Sequence, residues 1–183
     1  MEQCEIRGVD VPIMISGTIT DRSGRLLSGQ TPEAFWNAVR HADPISVGLN
    51  CALGAEEMRA HIADMSRVSD TLICAYPNAG LPNPLAPTGY DELPDDTAAY
   101  LLDFAKSGFV NVVGGCCGTT PQHIRAIADI VRNITPRAVP VIENAAHIKA
   151  AEAATRDQNA SYLGVMLEGK YSDSYLAAAG RDA

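Results

Sequence analysis

The stretch FVNVVGGCCGTTP, residues 109–121, joins an apolar run to a glycine-rich loop with two adjacent cysteines and then to a proline. The apolar run over 109–113 predicts a buried strand. Pro121 predicts the first turn of a helix that runs to Arg132, because proline suits that position. The polar and reactive residues of this unit therefore lie between its strand and its helix.

The same strand–loop–helix unit occurs three more times upstream. Apolar runs at 11–16, 45–49 and 71–76 predict strands, and the helices predicted after them cover about 31–41, 55–68 and 95–106. Strands that are apolar on both faces indicate a parallel sheet covered by helices. The glycine-rich and cysteine-bearing segments always follow a strand, which favours the last four units of a (β/α)₈ TIM-type barrel over a doubly wound sheet.

The remainder of the chain has a different character. We predict one unit over residues 1–137 and a divergent, helical tail over 138–183, with helices near 145–155 and 173–179 and a short strand near 162–167. The alanine-rich stretch AAHIKAAEAAT supports the first of these helices through its propensity. No residue of the tail suggests chemistry.

Composition narrows the class of protein. The 183 residues carry a formal net charge of −8, which disfavours binding to nucleic acid because that binding depends on Lys and Arg. No apolar run is long enough to span a bilayer, and the polar start MEQCEIRGVD lacks the apolar core of a signal peptide. We therefore expect a cytoplasmic protein with no membrane partner.

Five cysteines, two of them adjacent, make a poor disulfide framework. Cys51 follows one predicted strand, and Cys116 and Cys117 follow another. Three thiolates suit Zn²⁺ and leave its fourth position open, as in a catalytic site. Buried structural cysteines and a redox-active Cys116–Cys117 pair remain alternatives.

The other candidate ligands are weaker. Cys74, in the middle of a predicted strand, is interpreted as a small buried hydrophobe, as is Cys4 near the start. His123 lies in the first turn of the last predicted helix, where a solvated helix face is favoured over a contact near the metal. The glycine-rich loops match no nucleotide-binding pattern.

Four segments together resemble one family. These are PIMISGTITDRSGRLLSGQTPEAF (12–35), VGLNCALGAEEM (47–58), AYPNAGLPN (75–83) and GFVNVVGGCCGTTPQHIRAI (108–127). They are similar to the homocysteine S-methyltransferase family, and most of all to the homocysteine-binding barrel of its cobalamin-dependent methionine synthases. The resemblance covers residues 8 to about 137, and the GLNC and GGCCGTTP strings are the family's zinc signature.

The resemblance implies Zn²⁺ held by Cys51, Cys116 and Cys117, which are also the catalytic residues. It implies methyl transfer to the thiol of homocysteine to give methionine, with methylcobalamin as the donor on a separate cobalamin-binding domain. From their places at the ends of predicted strands, Asn50 and Asn78 are expected either to hydrogen-bond the substrate and the groups around it or merely to close turns, and Ser16 is a further candidate for the substrate site. The family's barrel has eight strands, so we expect a partial domain that is completed by an N-terminal half-barrel or a second copy. A fragment that binds zinc without turnover remains an alternative.

Overall fold

The computed structural model describes residues 6–9, 11–20 and 23–141. Four strands lie in one sheet in the order β1-β2-β3-β4, and every neighbouring pair is parallel. The strands are β1 (Met14–Gly17), β2 (Ser46–Gly54), β3 (Leu72–Asn78) and β4 (Val112–Val113). The helices are α1 (Pro32–Val39), α2 (Ala55–Val68), α3 (Pro94–Lys106) and α4 (Pro121–Val131), and a 3₁₀ turn, Arg40–Ala42, follows α1.

This architecture confirms the predicted α/β class and the four strand–loop–helix units. The first of the helices begins as expected, because the Thr31 side chain accepts a hydrogen bond from Ala34 N at 3.3 Å and Pro32 occupies the first turn. The predicted strands at 45–49 and 71–76 are longer in the structure, and the predicted helix over 55–68 has the same bounds as α2. The helix, strand and helix predicted beyond residue 141 lie outside the described residues.

The last strand is shorter than predicted, because only Val112 and Val113 pair with β3. Just before them, Asn111 replaces the regular pattern of backbone hydrogen bonds between the two strands. Its backbone N–H donates to Ile73 O at 2.8 Å, and its side-chain oxygen accepts from Ile73 N at 2.9 Å. A side chain therefore supplies the hydrogen bond that the preceding strand residue would otherwise supply.

The hydrophobic core lies between the sheet and the helices. Alternate residues along the central strands face the helices, because successive strand side chains point to opposite faces. The members of this core with no exposed surface include Val47, Leu49, Ile73 and Ala75 from the strands, and Ile62, Met65, Leu101 and Phe104 from the helices.

The opposite face of the sheet is covered less completely. Met14, Ser46 and Leu72 are register partners and therefore point to the same side. Met14 is 52% exposed and Leu72 is 38% exposed, whereas Ser46 between them is buried. In the described residues, these outer positions of the second face are open to solvent.

Arg137 fastens the segment after α4 to the amino-terminal edge of the sheet. Its guanidinium is buried and donates to the carbonyl oxygens of Ser66, Ser69 and Thr71, at 2.6 to 3.1 Å. Its backbone N–H donates to Val110 O at 3.1 Å. Burial lowers the pKa of this guanidinium from its ordinary value. The carbonyl dipoles at the end of α2 therefore stabilise a buried cation.

Among the described residues, no helix is both long enough and apolar enough to cross a bilayer.

Candidate metal centre

The first cysteine of the site lies on an irregular part of β2. Pairing with β3 is regular up to Asn50 and resumes only at Gly54, so the residues between them form a bulge. Within it, Cys51 has φ +60° and Ala52 has φ +59°. Residues other than glycine pay a steric cost in this left-handed region, and such residues cluster at functional sites. The bulge therefore aims the Cys51 side chain away from the regular pleat.

Cys116 and Cys117 lie on a loop that returns across the end of β3. Gly114 N donates to Ala75 O at 3.1 Å, and Cys116 N donates to Pro77 O at 2.8 Å. Ala79 N then donates to Cys117 O at 2.9 Å. Two strands that are separated by a third lie about 10 Å apart. The loop crosses that gap, so the cysteine pair after β4 reaches the cysteine at the end of β2.

The three sulfur atoms converge as a result. Cys51 Sγ lies 3.4 Å from Cys117 Sγ, and Cys116 Sγ lies 4.0 Å from Cys117 Sγ. All three lie within 4.8 Å of one another, and all three cysteines are free. A tetrahedral zinc site with Zn–S bonds of about 2.3 Å has sulfur–sulfur edges of about 3.8 Å. The observed triangle fits such a site, and no fourth His, Cys, Asp or Glu of the described residues joins the group.

The predicted polar residues lie close to this triangle. Ser16 Oγ donates to Asn50 Oδ1 at 2.7 Å, directly before Cys51. Asn78 is buried, and its Oδ1 accepts a hydrogen bond from Cys117 N at 3.1 Å. Asn50 is therefore oriented by a neighbouring strand, and Asn78 supports the backbone of the cysteine loop.

Tyr90 is a neighbour of the site that the sequence prediction did not include. Its ring lies against Gly118, directly after the cysteine pair. The interaction of its phenol with Cys117 is the first cause that raises the pKa of Tyr90, followed by burial and by the charges of the three cysteines. The loop sequence gives no signal for this contact, because Tyr90 lies 12 residues beyond β3 in a run of Pro, Gly and Asn.

Two further predictions have an outcome here. Cys74 is buried, which confirms its interpretation as a small core residue, and burial raises the pKa of its thiol. Cys4 lies outside the described residues. The preferred interpretation of His123 as part of a solvated helix face is wrong, because His123 is only 3% exposed. Its Nδ1 accepts from Thr120 N at 3.2 Å, and its Nε2 lies 3.3 Å from Glu92 O.

Together these features define an α/β protein with a parallel sheet and a three-thiol cluster at the carboxyl ends of its strands. The sequence model of the family described as homocysteine S-methyltransferase matches residues 1–131, and the chain belongs to that family.

The structure is also similar to the homocysteine methyltransferase MmuM from Escherichia coli in its oxidized form, with a TM-score of 0.53. The two sequences are 20% identical, so this likeness concerns the fold. The match covers 70% of this chain and 39% of that protein, and the chain therefore spans well under half of its length.

Proposed function

We propose that the chain is part of a zinc-dependent methyltransferase that methylates the thiol of homocysteine and yields methionine. The observation that carries this proposal is the convergence of Cys51, Cys116 and Cys117 Sγ within 4.8 Å of one another. Family membership supports homocysteine as the substrate. The barrel architecture, with this chain as its last four units, belongs to the same proposal.

In this proposal the three cysteines hold Zn²⁺. When bound, zinc supplies a Lewis acid that keeps a substrate thiol in its thiolate form near neutral pH. No fourth His, Cys, Asp or Glu of the described residues joins the triangle, which would leave a place for the substrate sulfur. That sulfur forms a bond to the methyl group while the bond between methyl and donor breaks, and the electron pair of the broken bond stays on the donor. The thiol proton passes to solvent.

The neighbouring polar groups orient the substrate. Ser16 Oγ donates a hydrogen bond to Asn50 Oδ1, and the amide nitrogen of Asn50 is left to donate to homocysteine. Asn78 acts indirectly, because its side chain holds the backbone of Cys117. We assign Asn50 and Ser16 to the substrate site and Asn78 to the support of the ligand loop.

The remaining parts of the reaction lie on partners. We propose methylcobalamin as the methyl donor, carried by a separate cobalamin-binding domain, and an N-terminal half-barrel or a second copy as the element that completes the sheet. The exposed side chains of Met14 and Leu72 on the second sheet face support such a partner.

The ligand assignment is tested by metal analysis of the purified chain and of single variants. Changing Cys51, Cys116 or Cys117 to Ser should each abolish stoichiometric zinc, because two remaining thiolates hold the ion poorly. Cys74→Ser is the matched control, because Cys74 lies in the same sheet but outside the cluster. This variant should keep zinc. Zinc that persists in Cys117→Ser and disappears in Cys74→Ser means that the assignment is wrong.

The reaction is tested by methyl transfer from methylcobalamin to homocysteine, with and without the N-terminal half of a related barrel. Product that depends on all three cysteines supports the proposal. Zinc binding without turnover, even with the added half, supports a non-catalytic zinc fragment instead. A reversible Cys116–Cys117 disulfide in a chain that takes up no metal supports the redox alternative.

A further inference from the structure

The Tyr90 loop, residues 79–93, connects β3 to α3 and is held at both ends. Glu92 N donates to Ala79 O at 3.1 Å, and Leu81 N donates to the Asp91 side chain at 3.0 Å. The Tyr90 carbonyl accepts from Thr88 Oγ1 at 3.0 Å, and Tyr90 forms an isolated bridge with Pro82. Ala79 also donates to Cys117 O. The loop that carries Tyr90 is therefore tied, through Glu92, to Ala79, which also holds the cysteine loop.

The ring of Tyr90 lies directly against Gly118, the residue after the cysteine pair. A Cβ built on Gly118 would lie 2.4 Å from Tyr90 Cγ and 2.5 Å from Cδ2, which leaves no room for any side chain. Gly118 also has φ +78°, where glycine is favoured. Both the backbone turn after Cys117 and the placement of the ring therefore require glycine at this position.

The phenol of Tyr90 lies near Cys117, and the position of Cys117 determines the shape of the triangle. Cys117 Sγ is the shared vertex of the two short sulfur contacts, 3.4 Å to Cys51 and 4.0 Å to Cys116. It is also the exposed member of the three, whereas Cys51 and Cys116 are partly buried. Of the three cysteines, Cys117 therefore has the side chain that packing restrains least. A hydrogen bond to its sulfur would restrict its orientation more than it would for the other two.

We propose that Tyr90 is a positioning residue for the metal centre. Its O–H donates to Cys117 Sγ, and its ring covers Gly118, so that together they fix the direction of the one exposed thiol. This inference rests on the proposed role of the three cysteines as metal ligands. Partners that orient metal ligands in this way commonly change metal affinity 10- to 100-fold when they are removed.

The experiment uses the whole chain with metal alone. Zinc release into an excess of a chromophoric chelator is followed for the parent, Tyr90→Phe and Tyr90→Ala. Tyr90→Phe keeps the ring on Gly118 and removes only the hydroxyl. Tyr100→Phe is the matched control, because the Tyr100 hydroxyl donates to Glu56 at 3.2 Å, away from the cysteines. The same four proteins are loaded with Co²⁺, and the thiolate-to-cobalt absorption is recorded.

We expect Tyr90→Phe to release zinc about tenfold faster, and Tyr90→Ala at least as fast, because a hydrogen bond to a charged sulfur is lost. The cobalt band should shift in Tyr90→Phe, since the sulfur no longer donates electron density to a hydrogen bond, and should stay unchanged in Tyr100→Phe. Urea midpoints of Tyr90→Phe and the parent should agree, which excludes a general loss of stability.

Failure of the Tyr90 proposal and failure of the proposed metal centre give different results. A parent with a three-thiolate cobalt spectrum, combined with a Tyr90→Phe variant of the same spectrum and release rate, overturns the role of Tyr90 alone. A parent that takes up neither metal overturns the proposed metal centre, and the role of Tyr90 with it.

Discussion

The side-chain oxygen of Asn78 accepts a hydrogen bond from the backbone N–H of Cys117 at 3.1 Å, so the last residue of β3 supports the second cysteine of the adjacent pair. Asn78 is 2% exposed, and water cannot readily replace this contact. Strand β3 therefore contributes no sulfur to the cluster but determines where one of the sulfurs lies.

The first prediction concerns this contact. Asn78→Ala should cost about 1–3 kcal/mol of unfolding free energy, because a buried N–H loses its acceptor. It should also weaken zinc binding about tenfold. Urea unfolding and chelator competition measure the two effects. Asn83→Ala is the control, since Asn83 accepts from Leu85 N at 2.9 Å on an exposed loop. Unchanged zinc affinity in Asn78→Ala would mean that Cys117 is positioned without Asn78.

The second prediction concerns the bulge in β2. Ala52 has φ +59°, a conformation that glycine adopts without steric cost. Ala52→Gly should therefore stabilise the chain by about 1 kcal/mol, despite the greater freedom of glycine in the unfolded state. Ala99→Gly makes the same chemical change on an exposed position of α3 and should destabilise by about 1 kcal/mol. Thermal unfolding of both variants decides this, and two shifts of the same sign would contradict it.

The third prediction concerns pH. The pKa of Glu92 is raised, first by burial and then by the charges of Asp91, Asp96 and Glu57. Stability is therefore highest when Glu92 is protonated, and it falls as pH rises from the unfolded to the folded pKa. Glu92→Gln should stabilise at pH 7, by no more than about 1 kcal/mol given solvent screening. This gain should disappear as pH falls through the raised pKa.

Asp103 provides the opposite case, and unfolding curves recorded at several pH values measure both effects. A hydrogen bond from Arg59, at 2.6 Å, is the first cause that lowers the pKa of Asp103. Stability from this carboxylate is therefore present above the unfolded pKa and is lost as pH falls through the lowered folded pKa. Asp103→Asn should destabilise at pH 7 and become neutral in acid. Unfolding curves between pH 3 and about 7 that shift equally for both variants would refute the assignment.

The fourth prediction concerns the buried cation. Arg137→Met leaves the carbonyl oxygens of Ser66, Ser69 and Thr71 without their donor, so we expect a loss of about 2–4 kcal/mol. Arg137→Lys keeps the charge but cannot span all three acceptors, and should lose less. Arg132→Met removes an exposed ion pair with Asp129 and should cost under about 0.5 kcal/mol. Equal urea midpoints for the Arg137 and Arg132 variants would show that the buried contacts contribute nothing.

The sequence was sufficient to predict the helices and the approximate positions of the strands, because apolar runs and helix-start residues are local signals. Thr31 with Pro32, and Pro121 in the last unit, mark helix starts that the structure confirms. It was also sufficient to single out Cys51, Cys116 and Cys117, since those cysteines follow strands whose carboxyl ends share one edge of the sheet.

The rest depends on contacts between distant segments. The convergence of the sulfurs arises from a loop that crosses β3 and from two left-handed residues in β2, and neither follows from spacing. His123 is a polar residue in the first turn of a helix, which predicts an exposed position. It is buried, because its ring accepts from Thr120 N and lies against the Tyr90 loop at Glu92 O. Tyr90 itself could be found only once that loop was seen to fold over Gly118.

The position of Arg137 also determines how far anything that follows it must reach. Its side chain is fixed beside Thr71, at the amino end of β3, whereas the sulfurs lie past the carboxyl end of the same strand. The seven residues of β3 separate the two ends by about 20 Å. A module tethered directly after Arg137 would need at least six extended residues of linker before it could touch a sulfur. A module on a shorter tether would stay at the amino ends of the strands, away from the cysteine cluster.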